Sequence, residues 1–306
     1  MFCWDKLLSE FRKKDGEVAS KENNSTKSDR TEIERDYDRI LFLSATRRLA
    51  DKTQVFPMEV NDSVRTRLTH SYEVSNLARS VGTRLAYNHT NLFNASLDDD
   101  FIKRNLPVVL ASAGLIHDLG NPPFGHQGEK SIGKWFEDLN EKDIHNDFIN
   151  FDGNRQTIRL ISKLHILNND FGLDLTFGTL SALIKYPVVD DDDGNNNDVE
   201  SIKYKKHGIY NSDLDLLNDV NDRVGLEYSH RNPLAFIMEA CDDIAYSIID
   251  AEDTVKKRYA SFNDLIHWLE SGLSENPKAT REEKKVVKKK FLSMSIRKIK
   301  NLEKKI

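Results

Sequence analysis

The sequence predicts an all-α protein, and three observations carry the prediction. Apolar residues recur at three- and four-residue spacing in successive segments, proline and glycine stand where helices start and stop, and strand-like alternation is scarce. The first helix is expected over 35–51, with Ile40, Leu41, Leu43, Ala45 and Leu49 apolar. The second, over 70–87, carries Val74, Leu77, Val81 and Leu85 in one stripe. The third, over 107–119, opens on Pro107, which suits the first helical position, and stops at Gly120 with Pro122 just beyond. The fourth, over 129–140, puts Ile132, Trp135, Phe136 and Leu139 on one face. The last long helix, over 232–257, opens at Asn232-Pro233 and turns Leu234, Ile237, Met238, Cys241, Ala245, Ile248 and Ile249 inward. A small hairpin around 202–210 is the one β element expected.

With 306 residues, 38% hydrophobic and 31% charged, the chain can bury a sizeable core. It reads as a flexible segment over 1–31, a core over 32–260 and a basic helical segment over 261–306. A net charge of −5 weighs against a general nucleic-acid binder. Cys3 and Cys241 make no CxxC pair and suit a reducing cytoplasm. No apolar run approaches the roughly 20 residues of a membrane-spanning helix, so no membrane partner is expected. The run "VVDDDDGNNNDV" lacks the ligand order of a calcium loop and reads as solvated. The basic run over 284–306 reads as a solvent-facing helix, with phosphate contact as the alternative.

The chemistry concentrates in "AGLIHDLGNPPFGHQGEK", where an apolar helix ends in His117-Asp118 and a Gly/Pro elbow follows. Imidazole plus carboxylate suits Mn²⁺, Fe²⁺, Zn²⁺ or Co²⁺, and an oxygen-rich site with waters suits Mg²⁺. His70 starts its own helix just after Arg65 and Arg67, which could grip phosphate. In "EACDDIAYSIID", Asp242, Tyr246 and Asp250 stand at i, i+4 and i+8, a polar stripe on an otherwise apolar helix. That stripe favours Asp242 over Asp243 as a site residue.

The order His, then His-Asp, then Asp on separate helices resembles the HD superfamily of metal-dependent phosphohydrolases. Five blocks carry the likeness further: "RDYDRILFLSATRRLADKTQVFP", "RTRLTHSYEVSNLAR", "LIHDLGNPPFGHQGEKSI", "FDGNRQTIRL" and "HRNPLAFIMEACDDIAYSIIDAED". Together they resemble the deoxyguanosine-triphosphate triphosphohydrolases over residues 35–253. That resemblance implies hydrolysis of dGTP or another dNTP to deoxynucleoside and inorganic triphosphate, with one divalent metal ion held by His70, His117, Asp118 and Asp242. It implies His126 and Glu129 as the catalytic pair. Gln54, Tyr246 and Asp250 match residues that hold the deoxyribose, and Arg67 and Asn121 lie where α-phosphate contacts are expected. Asn154, Lys185 and Tyr186 resemble further phosphate- or sugar-side contacts. A homo-oligomer is implied as well. Arg155 stands where the family has a small residue, and beyond about Ser261 the likeness fades. Two alternatives stay open: another HD phosphohydrolase, or a nucleotide- or single-stranded-DNA-binding oligomer with little turnover.

Overall fold

A computed structural model describes residues 3–14, 29–58, 60–93, 98–139, 146–165, 171–189 and 208–275. Contacts divide the chain into two compact units, Met1–Ala245 and Tyr246–Ile306. The helices in chain order are α1 (Trp4–Leu7), α2 (Glu32–Phe42), α3 (Ser44–Arg48), α4 (Arg67–Asn88), α5 (Asp99–Ile116) and α6 (Gly125–Asp138). After them come α7 (Asn146–Ile149), α8 (Gly153–Arg159), α9 (Phe177–Leu183), α10 (Leu214–Val224), α11 (Pro233–Lys256) and α12 (Phe262–Glu275). The fold is all-α, and no strand occurs among the described residues. Most of the expected hairpin over 202–210 lies outside them, as do the runs 190–200 and 276–306.

The first unit is built around α5. Leu106, Val109, Leu110, Ala113, Leu115 and Ile116 are fully buried along it, and α4 lies alongside through Val74 and Ala78. The two helices approach closely because Gly114 has no side chain. A Cβ there would meet the Ser75 backbone at 2.9 Å. This close contact brings the first turn of α4 to the end of α5. The core continues through Ile40, Leu43, Leu49, Ile158, Ile161, Leu180 and Leu217.

Several boundaries differ from the sequence reading, each for a local reason. The helix expected over 35–51 starts at Glu32, where Thr31 and Glu34 form a capping box. It breaks at Leu43, whose backbone is extended, before α3 and a 3-10 turn, Leu49–Asp51. Pro107 is interior to α5 rather than its first residue; Asp98 caps that helix, its side chain accepting from the Asp100 amide at 3.2 Å. The apolar face of α6 is half covered: Ile132 and Phe136 are partly buried, the Phe136 ring 5.0 Å from that of Phe148, while Trp135 is 59% exposed. Gly133 is buried, and a Cβ on it would lie 2.4 Å from the Ile149 carbonyl. On α11, Leu234, Met238, Cys241 and Ala245 are buried as expected, whereas Ile248 is exposed.

Residues 3–14 belong to the segment read as flexible, yet Leu7 and Leu8 are buried. Arg12 is buried too; its Nη1 donates to Asp36 Oδ1 at 2.7 Å and its Nε to Glu32 Oε2 at 3.0 Å. Asp36 also accepts from the amide and hydroxyl of Thr176 at 2.9 and 2.7 Å, so this buried charge is fully partnered. Residues 15–28 lie outside the described set. In the second unit, Ser261 and Asp264 cap α12: the Ser261 hydroxyl donates to Asp264 Oδ2 at 2.6 Å and accepts from the Asp264 amide at 3.1 Å.

Candidate metal centre and active site

His70 lies in the first turn of α4. Thr66 and Thr69 start that helix with a reciprocal capping pair, their side chains each accepting from the other's amide. His117 follows the last residue of α5. Its Nδ1 lies 2.8 Å from the Gly114 carbonyl. A carbonyl only accepts, so Nδ1 carries the proton and Nε2 presents its lone pair. Asp242 comes from α11. Its Oδ1 lies 3.0 Å from His70 Nε2 and 3.4 Å from His117 Nε2.

These three residues fit a divalent metal. Their donor atoms lie within 4.8 Å of one another. Ligands about 2.1 Å from one ion, at right angles, sit roughly 3 Å apart, close to the spacings found. His117 Nε2 is buried with no hydrogen-bond partner, an unsatisfied lone pair that a metal would satisfy. Its Nδ1 bond is the outer-sphere contact that metal-binding histidines commonly make.

Of the four ligands expected, the structure brings three into this cluster. Asp118 is adjacent, with Oδ1 3.7 Å from His117 Nε2. Its carboxylate is gripped from two sides: Arg67 ion-pairs with Oδ2, and Asn121 Nδ2 donates to Oδ1 at 2.6 Å. Asp243 is exposed and outside the cluster.

Charge is dense here. Burial would raise the pKa of Asp242, but His117, His70 and Lys185 outweigh it and hold the carboxyl far below the ordinary range. Asp118 is also lowered, with His117 and Arg67 overcoming burial. Burial alone would depress His117, yet Asp118 and Asp242 push it upward. Lys185 Nζ lies 3.3 Å from Asp242 Oδ2, and despite burial its pKa is raised by Asp242 and Asp118.

The elbow carries the chain from His117 to His126. Gly120 gives its amide to Thr157 Oγ1 at 2.8 Å, and a Cβ on it would fall 2.3 Å from both the Gly153 carbonyl and the Thr157 amide. Only glycine lets the elbow lie this close to α8. Phe124 then takes a left-handed conformation, φ 67°, and α6 begins. On α6, His126 is 77% exposed and its Nδ1 lies 2.7 Å from Glu129 Oε2; the other oxygen of Glu129 accepts from the Gly153 amide at 2.9 Å. An ionised carboxylate only accepts, so His126 carries its proton on Nδ1 and leaves Nε2 for chemistry.

The remaining expected residues have varied settings. Gln54 is partly buried, and its Oε1 has no hydrogen-bond partner. Asn154 donates its amide and side chain to Asp152 Oδ1 at the start of α8. The Tyr186 hydroxyl is 3.4 Å from Glu239 Oε1. Tyr246, exposed, and Asp250, buried, lie in the second unit. Arg155, the departure from the family pattern, is buried with its guanidinium 5.8 Å from the centre of the Tyr210 ring. Glu239, which no sequence motif singled out, stands three residues before Asp242 on the same helix and also accepts from Arg231 at 2.6 Å.

Two histidines and an aspartate converging from three helices, with the His-Asp pair at a helix end, define an HD-domain protein. Residues 67–170 match the family described as HD domain. The chain is 41% identical over 294 residues to a deoxyguanosinetriphosphate triphosphohydrolase-like protein of Listeria monocytogenes, covering 90% of this chain and 61% of that protein. A protein of the same description from Synechocystis is 36% identical, with 88% and 63% covered. A probable deoxyguanosinetriphosphate triphosphohydrolase of Pseudomonas aeruginosa is 35% identical, with 78% and 50% covered. Residues 67–170 thus carry the HD-domain match, and most of the chain is similar to proteins described as deoxyguanosinetriphosphate triphosphohydrolase-like. It spans about three fifths of the length of the first two and half that of the third.

Proposed function

We propose that this chain forms the catalytic part of a metal-dependent hydrolase that converts dGTP, and other dNTPs to an extent the site does not dictate, into deoxynucleoside and inorganic triphosphate. The observation that carries the reading is the juxtaposition of His70, His117 and Asp242 with an arginine-held Asp118, in a chain related to deoxyguanosinetriphosphate triphosphohydrolase-like proteins. His70, His117, Asp118 and Asp242 would hold one ion, with Mg²⁺ or Mn²⁺ proposed ahead of Fe²⁺, Co²⁺ or Zn²⁺. When bound, the ion supplies Lewis-acid polarisation at a phosphoryl oxygen.

The protein's own residues would do the rest. Arg67 and Lys185 bring fixed positive charge to the edge of the cluster, where a phosphate can take the place of a carboxylate partner. Asn121 offers an amide beside Arg67 for the α-phosphate. His126 Nε2 would take a proton from the attacking water or give one to the departing 5′ oxygen, and Glu129 would keep the other ring nitrogen protonated and supply charge. The unpartnered Oε1 of Gln54 would accept from the 3′-hydroxyl. Tyr246 and Asp250 are assigned to the deoxyribose on the family resemblance alone. Asn154 and Tyr186 are assigned softer contacts with phosphate or sugar.

Incubation with each of the four dNTPs and with GTP, in Mg²⁺ or Mn²⁺, tests the reading. Triphosphate and deoxyguanosine should appear in equal amounts, with GTP far slower than dGTP. Release of orthophosphate or pyrophosphate would point to a different HD chemistry. Tight dGTP or single-stranded-DNA binding without metal-dependent product would replace hydrolysis with a binding role. Self-association and a cytoplasmic setting belong to the same proposal, and light scattering tests the first. Among the described residues, no helix is long and apolar enough to cross a membrane.

A further inference from the structure

Lys52 has no role in the scheme above, yet it touches two sides of the site at once. It follows the 3-10 turn Leu49–Asp51 and is partly buried. Its main-chain carbonyl accepts from the amide of Arg67, the first residue of α4, at 2.9 Å. Thr53 and Thr66 extend that contact as an antiparallel bridge. Its side chain reaches the other way: Nζ donates to the carbonyls of Leu119 at 3.2 Å and Asn121 at 2.6 Å. Those carbonyls belong to the elbow, three and five residues past Ile116, the last residue of α5. An ammonium there supplies a donor to each.

The two residues that Lys52 braces are the two that grip Asp118. Arg67 pairs with Oδ2, and Asn121 donates to Oδ1. One lysine thus ties the backbone carrying the first grip to the backbone carrying the second. We infer that Lys52 is a positioning residue, fixing the Asp118 carboxylate for metal binding by bracing both groups that hold it. The inference rests on the reading of Asp118 as a metal ligand. It also explains why the segment leading to Gln54 is fastened to the elbow rather than merely lying near it: both carry residues that must keep register with one substrate.

Mn²⁺ binding to the full chain, followed by electron paramagnetic resonance, tests this without depending on turnover. Lys52→Met keeps most of the aliphatic stem and removes the donors and the charge. Residues that orient metal ligands typically account for about 10–100-fold in affinity, so the Mn²⁺ Kd of a folded Lys52→Met protein should rise by about tenfold or more. In an Asn121→Ala background, where one grip on Asp118 is already gone, the same change should cost distinctly less. Wild-type affinity in Lys52→Met, or an equal factor in both backgrounds, would overturn the positioning role. Should Lys52→Met not fold, Lys52→Arg carries the test. Its planar fork cannot reproduce a point donor between two carbonyls, so Mn²⁺ binding should weaken several-fold, and unchanged binding overturns the inference. Asp118→Asn in the same titration separates the two levels. If it binds Mn²⁺ normally, the ligand reading itself fails; if it weakens binding and the Lys52 variants do not, only the role of Lys52 fails.

Discussion

His117 commits one ring nitrogen to the Gly114 carbonyl, so a proton and a metal ion must compete for the other. Without metal, Asp118 and Asp242 raise its pKa above the ordinary 6.5 against the opposing effect of burial. Mn²⁺ affinity should therefore begin to fall at a pH above 6.5 and drop by about tenfold per pH unit below the raised pKa. Calorimetric titrations across pH would show it, and affinity flat through pH 6 would contradict it. The stability linkage runs the opposite way. In the metal-free protein, the contribution of protonated His117 is complete below its unfolded pKa and is lost as pH rises through the raised folded value. His126 gives a second prediction. His126→Ala should retain metal and dNTP binding and lose about 10²–10⁴-fold in kcat, the usual share of a general acid or base. Glu129→Gln should lose less. Near-normal turnover by His126→Ala would leave the pair with Glu129 as a structural contact alone. At this scale the sequence was informative wherever residue type and order carry the chemistry, as with His70, His117 and Asp242. Lys52 was not legible, because its connection to the elbow consists of hydrogen bonds to two backbone carbonyls, which leave no mark in a residue pattern.

Helices were legible as units, and their edges much less so. The α5 stripe was correctly helical, but Pro107 reads as a start, and the actual start lies at Asp98 with aspartates in the first turn. A proline within the helix removes one amide from the ladder, and here the surrounding core keeps the helix continuous past it. On α6 the period identifies a helix without saying how much of its apolar face a neighbour covers: Phe136 meets Phe148, whereas Trp135 stays exposed. The approach of the Ile149 carbonyl needs the bare surface of Gly133. The elbow supplies this scale's prediction. Gly120→Ala would drive a methyl group into the Gly153 carbonyl and the Thr157 amide and push α8 away from the loop. The Gly120–Thr157 bond would break, and the Gly153–Glu129 bond would be strained with it. Metal binding should weaken and Tm should fall; a variant with wild-type Tm and Mn²⁺ affinity would show that the elbow tolerates displacement.

Across the whole molecule, the first unit is tied together by a buried charge as well as by its apolar core. Arg12 meets Asp36, and Asp36 meets Thr176, so three distant stretches share one ion pair. Asp36→Ala would leave Arg12 buried without its closest carboxylate, the partly exposed Glu32 remaining beside it. Breaking a buried pair in this way costs roughly 3–5 kcal/mol, which urea denaturation should register. A change too small to measure would mean that Glu32 suffices. The metal cluster is spread still more widely along the chain: His70 and Asp242 are 172 residues apart. Closing so long a loop is entropically costly and slow compared with forming any one helix. An unfolded chain retains the neighbouring His117 and Asp118 but not the three-way convergence, so its hold on an ion is weak. Metal would then bind the native state almost exclusively, and Tm should climb with the logarithm of free Mn²⁺ once Kd is exceeded. The ion becomes a late reporter of folding, arriving only after stretches of the first unit 172 residues apart have met.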